Sequence, residues 1–165
     1  MKTLFKLIVI LGFITLTSCE NKLESVMKGM WSIDTLYFKN NDVKSCFYSN
    51  VINIKDDGEI VLPELGNGCE DVIKKTNTKF GNWQIIESTV PNDTMPYKIK
   101  ITSVNEVFNG NHRMIFHRDE VNKLLKLEIW SDSLYIICRK GLFDYDYNKK
   151  LVNELEKASW TTRTN

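Results

Sequence analysis

The sequence predicts an all-β fold, an eight-stranded antiparallel up-and-down barrel followed by a C-terminal α-helix. From Trp31 onward apolar and polar residues alternate with a period of two, which is typical of strands with one buried face. Turn sequences such as Asp56-Asp57-Gly58 and Asn109-Gly110 separate the runs and supply the positive φ angles that tight hairpins need. Over residues 142–158 the apolar residues recur every four positions instead, which indicates an amphipathic helix that packs on the barrel.

Eight runs of sequence carry the strand pattern. They are Trp31–Phe38, Phe47–Ile54, Glu59–Pro63, Phe80–Glu87, a run from Tyr97 toward Phe108, Asn111–Arg118, Leu125–Ile129 and Leu134–Lys140. Because short turns join most of them, we expect each strand to pair with the next. A meander with one apolar face can close into a barrel, which leaves no unpaired edge strand. A β-sandwich is the alternative.

The N-terminus has the features of a secretory signal. Lys2 and Lys6 accompany an apolar run that ends at Leu16 and is too short to span a bilayer, which takes about 20 residues. The sequence Leu16-Thr17-Ser18-Cys19 resembles the lipobox of bacterial lipoproteins. This resemblance implies that residues 1–18 are a signal peptide and that Cys19 is acylated and anchors the chain in the membrane. An ordinary cleaved signal peptide is the alternative.

Glu20 indicates which membrane would hold such an anchor. By the rules of the lipoprotein family, a glutamate rather than an aspartate after the acylated cysteine resembles an outer-membrane sorting signal. The resemblance therefore implies a lipid-anchored protein of the outer membrane. The face of that membrane stays open.

The remaining chain has the size of one domain. Removing residues 1–18 from 165 leaves 147, enough for a single core. We expect a linker over 19–28 that is compatible with one helical turn against the domain, the barrel over 29–141, the helix over 142–158 and a tail over 159–165. The same cut lowers the number of basic residues from 22 to 20, against 21 acidic ones. A formal charge of −1 without a basic stripe argues against nucleic acid as a partner.

The cysteines other than Cys19 indicate one disulfide. Cys46 and Cys69 flank a predicted hairpin, and we expect them to pair in an oxidising compartment. Three buried thiols are the alternative. Cys138 alternates with the apolar residues of the last strand and is expected in the core. No two cysteines have the close spacing of a zinc site.

A second resemblance concerns the barrel. Gly29-Met30-Trp31 at the start of the first strand resembles the Gly-x-Trp signature of lipocalins, and Arg139 near the end of the last strand stands where that family places an arginine over the tryptophan. The resemblance implies that a guanidinium stacked on an indole closes one barrel end. The sequence Gly81-Asn82-Trp83 repeats the signature, which is more similar to small lipocalin-like domains of Gram-negative lipoproteins. For those the resemblance implies no settled ligand.

Residues with catalytic potential do not form a recognisable motif. His112 and His117 are separated by an odd number of positions on one predicted strand, so we expect them on opposite faces and not in one metal site. The sequence has no nucleophile elbow and no glycine-rich phosphate loop. We therefore expect a binding protein without cofactor, metal or catalytic residues.

Two functions fit this prediction. In the first, the barrel holds a small apolar ligand against its inward face. The side chains expected there are Ile33, Thr35, Tyr37, Tyr97, Ile99, Ile101, Leu125, Leu127 and Ile129. In the second, the same residues fill the barrel, and open-end loops over 64–79 and 88–96 meet an envelope protein as an interaction, accessory or inhibitor module.

Overall fold

A computed structural model of the chain describes residues 22–73, 79–87, 97–119 and 121–141. Cys19, the signal peptide, the predicted C-terminal helix and the tail lie outside the described residues. Within the described ranges a helix, a 3₁₀ turn and nine strands follow each other. They are α1 (Lys22–Met27), β1 (Gly29–Phe38), β2 (Asn41–Asp42), the 3₁₀ turn (Lys44–Cys46), β3 (Val51–Ile54), β4 (Glu59–Val61), β5 (Phe80–Glu87), β6 (Tyr97–Thr102), β7 (Gly110–Asp119), β8 (Leu124–Trp130) and β9 (Leu134–Gly141).

The sheet closes because β1 has a partner on each side. Gly29 at its start lies opposite Ile54 of β3, and Phe38 at its end lies opposite Leu134 of β9. From β3 to β9 each strand pairs antiparallel with the next along the chain. The short β2 pairs with the last two residues of β1. The predicted eight-stranded antiparallel barrel is therefore confirmed, and the alternative of two stacked sheets is wrong.

Three strands are shorter than the alternation predicts, and one of them is β4, which ends at Val61 rather than at Pro63. The second predicted strand begins at Val51 rather than Phe47, and Phe47 forms only an isolated bridge with Leu65. β6 ends at Thr102 and does not run on toward Phe108. There the side chain of Asn105 accepts a hydrogen bond from the backbone N–H of Val107 at 3.1 Å. Such a local side-chain bond competes with a strand ladder and turns the chain.

A bulge in β1 reverses its alternation. The register with β9 shifts between Ile33 and Thr35, and a one-residue shift moves every later side chain to the other face of a strand. Leu36 and Phe38 are consequently buried, whereas Tyr37 is exposed. The prediction that Thr35 and Tyr37 point inward is therefore wrong.

Both ends of the barrel are covered by apolar side chains. At the end where β1 begins, α1 buries Leu23, Val26 and Met27, within the segment expected to be a linker compatible with one helical turn against the domain. At the opposite end the β4–β5 connection and the loop between β6 and β7 bury Leu65 and Phe108. All these residues belong to one hydrophobic cluster that runs through the barrel.

Candidate functional site

The barrel interior is the first candidate site, and the structure places most of the expected side chains there. Ile33, Ile99, Ile101, Leu125, Leu127 and Ile129 are buried, Tyr97 is half-buried and packs against the cluster, and Thr35 and Tyr37 lie outside. The bulge in β1 instead contributes Leu36 and Phe38 to the interior. The sequence contains these apolar residues, but only the pairing of β1 with β9 shows which of them turn inward.

This interior is filled over the portion of the barrel that the structure describes. Leu36, Ile99, Leu125 and Ile136 have 0% of their surface accessible, and Leu127 has 1%. A cavity large enough for water would give its lining side chains accessible area, because a water-sized probe fits into it. These side chains therefore touch one another and not a void, as in an ordinary protein core.

A histidine side chain lies inside the core. His112 is buried, and its Nε2 donates to the carbonyl oxygen of Phe108 at 2.9 Å. Its Nδ1 has no hydrogen-bond partner among the residues that the structure describes. Burial lowers the pKa of His112, and the bond to Phe108 only partly opposes this. The ring is therefore neutral, with its proton on Nε2. His117 lies on the outer face, 3.4 Å from Glu128, so the two histidines are on opposite faces as predicted.

The barrel end at α1 is closed by a lysine and a tryptophan. The indole N–H of Trp31 donates to the carbonyl oxygen of Met27 at 2.6 Å. The Nζ of Lys140 lies 4.7 Å from the centre of the Trp31 ring and donates to the carbonyl oxygens of Val26 and Lys28. Burial lowers the pKa of Lys140 to about 8. The cation is held by a ring face and two carbonyl groups rather than by a carboxylate.

The expectation that Arg139 covers Trp31 is therefore wrong. Arg139 is exposed, and its Nε lies 2.9 Å from a carboxylate oxygen of Asp34. Successive side chains of a strand point to opposite faces, and Cys138 of β9 points inward. Lys140 continues that inward row. The alternation within the sequence of β9 could have identified Lys140 without a structure.

Gly29 begins β1 with a φ of 108°, a value that favours glycine.

A disulfide fixes the loop that covers the opposite end. Cys46 and Cys69 are bonded, with their Cα atoms 5.8 Å apart, and this is the pairing expected from the sequence. The backbone N–H of Gly66 donates to the carbonyl oxygen of Cys46 at 2.6 Å. Cys138 is a free thiol in the core, and burial raises its pKa strongly. The thiol of Cys138 is consequently unreactive, because a thiolate is the reactive form.

Aromatic side chains stand out from this disulfide-bonded loop. Tyr48 is 71% exposed, and Phe80, at the start of β5, is 50% exposed. Glu64 contacts Tyr48 and Lys79, the residue before Phe80: its carbonyl oxygen accepts a hydrogen bond from the N–H of Tyr48 at 2.9 Å, and its carboxylate lies 4.0 Å from the Nζ of Lys79. We call the surface of Tyr48, Glu64, Lys79 and Phe80 the stapled rim.

The two loops expected to meet a partner together leave opposite ends of the barrel. The β4–β5 connection leaves from the end away from α1. β5 and β6 are antiparallel neighbours with Glu87 opposite Tyr97, so β5 ends and β6 begins at the α1 end. Residues 74–78 and 88–96 lie outside the described residues. The points at which the two loops leave the barrel are therefore at opposite ends.

The described ranges of the chain offer neither a metal site nor a membrane-spanning helix. No group of three or more histidine, cysteine and acidic side chains there could hold a metal ion. The described helix is too short and too polar to cross a membrane. Comparison with protein families, with curated proteins and with solved structures finds no match for this chain.

Proposed function

We propose that this chain is a lipid-anchored lipoprotein of the cell envelope whose filled barrel presents a surface to a partner protein. The observation that carries the proposal is the single hydrophobic cluster that runs from α1 through the barrel to the β6–β7 loop. It occupies the space in which a small apolar ligand would have to lie. Binding outside the barrel is thus better supported than binding inside it.

The anchor in this proposal rests on the sequence around Cys19. Only three residue steps separate Cys19 from Lys22, where α1 begins, and they span at most about 11 Å. A lipid on Cys19 would therefore hold the α1 end of the barrel close to the bilayer. The stapled rim, at the opposite end, would face away from the membrane.

The stapled rim has the chemistry of a protein-binding surface. Exposed tyrosine and other aromatic side chains contribute strongly to many protein interfaces. The Cys46–Cys69 disulfide and the bond between Gly66 and Cys46 hold the loop in place before binding. Less conformational entropy is then lost on association.

The lipocalin-like resemblance belongs to the same proposal. Trp31 lies at the start of β1 and packs at a closed end of the barrel, as that resemblance implies. Lys140 takes the place expected for Arg139. The proposal uses the family's architecture and does not assign it a ligand.

The anchor is tested with the Cys19→Ala variant expressed in the native host. Wild-type protein is expected in the membrane fraction and labelled by radioactive palmitate, whereas the variant is expected to be soluble and unlabelled. An unlabelled wild-type protein, or a variant that stays with the membrane, would contradict the anchor.

The binding surface is tested by a photo-crosslinking amino acid at position 48 in living cells. Position 30 is the matched control, because Met30 is also a large exposed side chain, 66% accessible, but lies at the α1 end. A discrete crosslinked protein from position 48 alone is expected. Equal crosslinking from both positions would contradict the rim, and a reproducible small-molecule adduct in native mass spectrometry would favour the interior ligand instead.

A further inference from the structure

We propose that a cleft on the outer wall of the barrel binds an anionic saccharide, a sugar that carries a carboxylate or phosphate group. The cleft lies across β6, β7 and β8 and the turn into β9, with a volume of about 340 Å³. Pockets for small ligands are typically about 300 to 1,000 Å³. Six residues line the cleft: Lys98, Asn111, Arg113, Trp130, Ser131 and Asp132. None belongs to the stapled rim.

Two cations lie side by side in this cleft. Lys98 of β6 is directly opposite Arg113 of β7, and like charges in that arrangement destabilise a sheet. Neither forms an ion pair with a carboxylate among the described residues. An anion between them would remove the repulsion, and the planar guanidinium of Arg113 suits a bidentate carboxylate or phosphate.

Trp130 supplies an apolar wall beside the cations. It is half-buried and lies directly opposite Arg113 in the β7–β8 pair. The indole N–H groups of Trp31 and Trp83 both donate to backbone carbonyl oxygens. That of Trp130 makes no such bond within the described ranges. Trp130 therefore offers both a ring face for the C–H groups of a sugar and a free donor for its oxygens.

The remaining lining residues favour a sugar over a bare anion or a polyphosphate chain. Asn111 and Asp132 are exposed, and Ser131 is held in the β8–β9 turn by a hydrogen bond from its N–H to the carbonyl oxygen of Leu134 at 2.8 Å. Amide, carboxylate and hydroxyl groups pair with sugar hydroxyls. The carboxylate of Asp132 would repel a second negative charge, so one anionic group per ligand fits best.

The test is a titration of the full-length protein, labelled with ¹⁵N-tryptophan and purified in a non-ionic detergent. The Trp130→Phe variant identifies the indole signal of Trp130. Glucuronate and glucose 6-phosphate are expected to shift that signal until it saturates. Glucose at the same concentrations is expected to leave the signal unchanged. Arg113→Gln should weaken binding of both charged sugars about tenfold or more, because a charge-assisted hydrogen bond is lost.

Lys100→Gln is the matched control. Lys100 lies two residues beyond Lys98 on the same outer face and opposite Asn111, but it does not line the cleft, so Lys100→Gln should weaken binding less than Arg113→Gln does. Three results would overturn the proposal. The first is that neither charged sugar shifts the indole signal of Trp130. The second is that inorganic phosphate binds as tightly as glucose 6-phosphate. The third is that the Arg113 and Lys100 variants lose the same amount of affinity for the charged sugars.

Discussion

Truncating Leu127 distinguishes a filled barrel from a hollow one. Leu127 is 1% exposed and lies between Phe116 of β7 and Cys138 of β9, two side chains that are themselves buried. Leu127→Ala removes three carbon atoms, for which the lost transfer free energy is about 2.4 kcal/mol. The void that remains adds to this, so we expect the free energy of unfolding to fall by about 3 to 4 kcal/mol.

Urea denaturation measures this loss as a lower transition midpoint at an unchanged slope. Val121→Ala is the control, because Val121 is 90% exposed and its truncation should change stability by less than about 0.5 kcal/mol. A side chain that lines a cavity lacks contacts on one side and contributes less. A loss below about 1.5 kcal/mol for Leu127→Ala would therefore refute the filled interior.

Three further predictions concern stability and are measured by the same denaturation experiment. Reducing the Cys46–Cys69 bond, which links positions 23 residues apart, should lower the free energy of unfolding by about 3 kcal/mol through loop entropy. A Cys46→Ser, Cys69→Ser variant that is no less stable would contradict this. Burial lowers the pKa of Lys140 from 10.5 to about 8, so between these values the unfolded chain binds more protons and stability rises with pH, by up to about 1.4 kcal/mol per unit. The permanently charged Lys140→Arg variant should lack that rise, and an equal rise in both proteins would contradict it. Lys98→Ala should stabilise the protein by about 0.2 to 1 kcal/mol relative to Lys100→Ala, because a like-charge pair is removed; a less stable Lys98 variant would show that the pair does not repel.

The lysine at the closed end differs chemically from the arginine that the resemblance implies. A guanidinium stays charged at any ordinary pH, whereas the pKa of Lys140 is lowered to about 8 by burial. The amine stays within reach of the carbonyl oxygens of Val26 and Lys28 and can donate to them with or without its charge. The barrel end is therefore expected to stay closed above neutral pH.

The sequence alone predicted the order of the strands and their antiparallel pairing. Residues such as Tyr97, Ile99 and Ile101 alternate with polar neighbours, and Asp57-Gly58 marks a hairpin that the structure contains between β3 and β4. These features depend on neighbours a few residues away, and the sequence therefore carries them directly. The pairing of Cys46 with Cys69 was expected for the same reason, since both flank that hairpin.

The tertiary structure decided which side chains turn inward and what fills the space between them. The bulge at Ile33 and Thr35 exists only because β1 pairs with β9, a contact across most of the chain, and it moved Tyr37 to the outer face. The packing of α1 under the barrel is likewise a long-range contact. Periodicity along a strand cannot reveal either one, because a one-residue shift in register leaves the local pattern unchanged and reverses its faces.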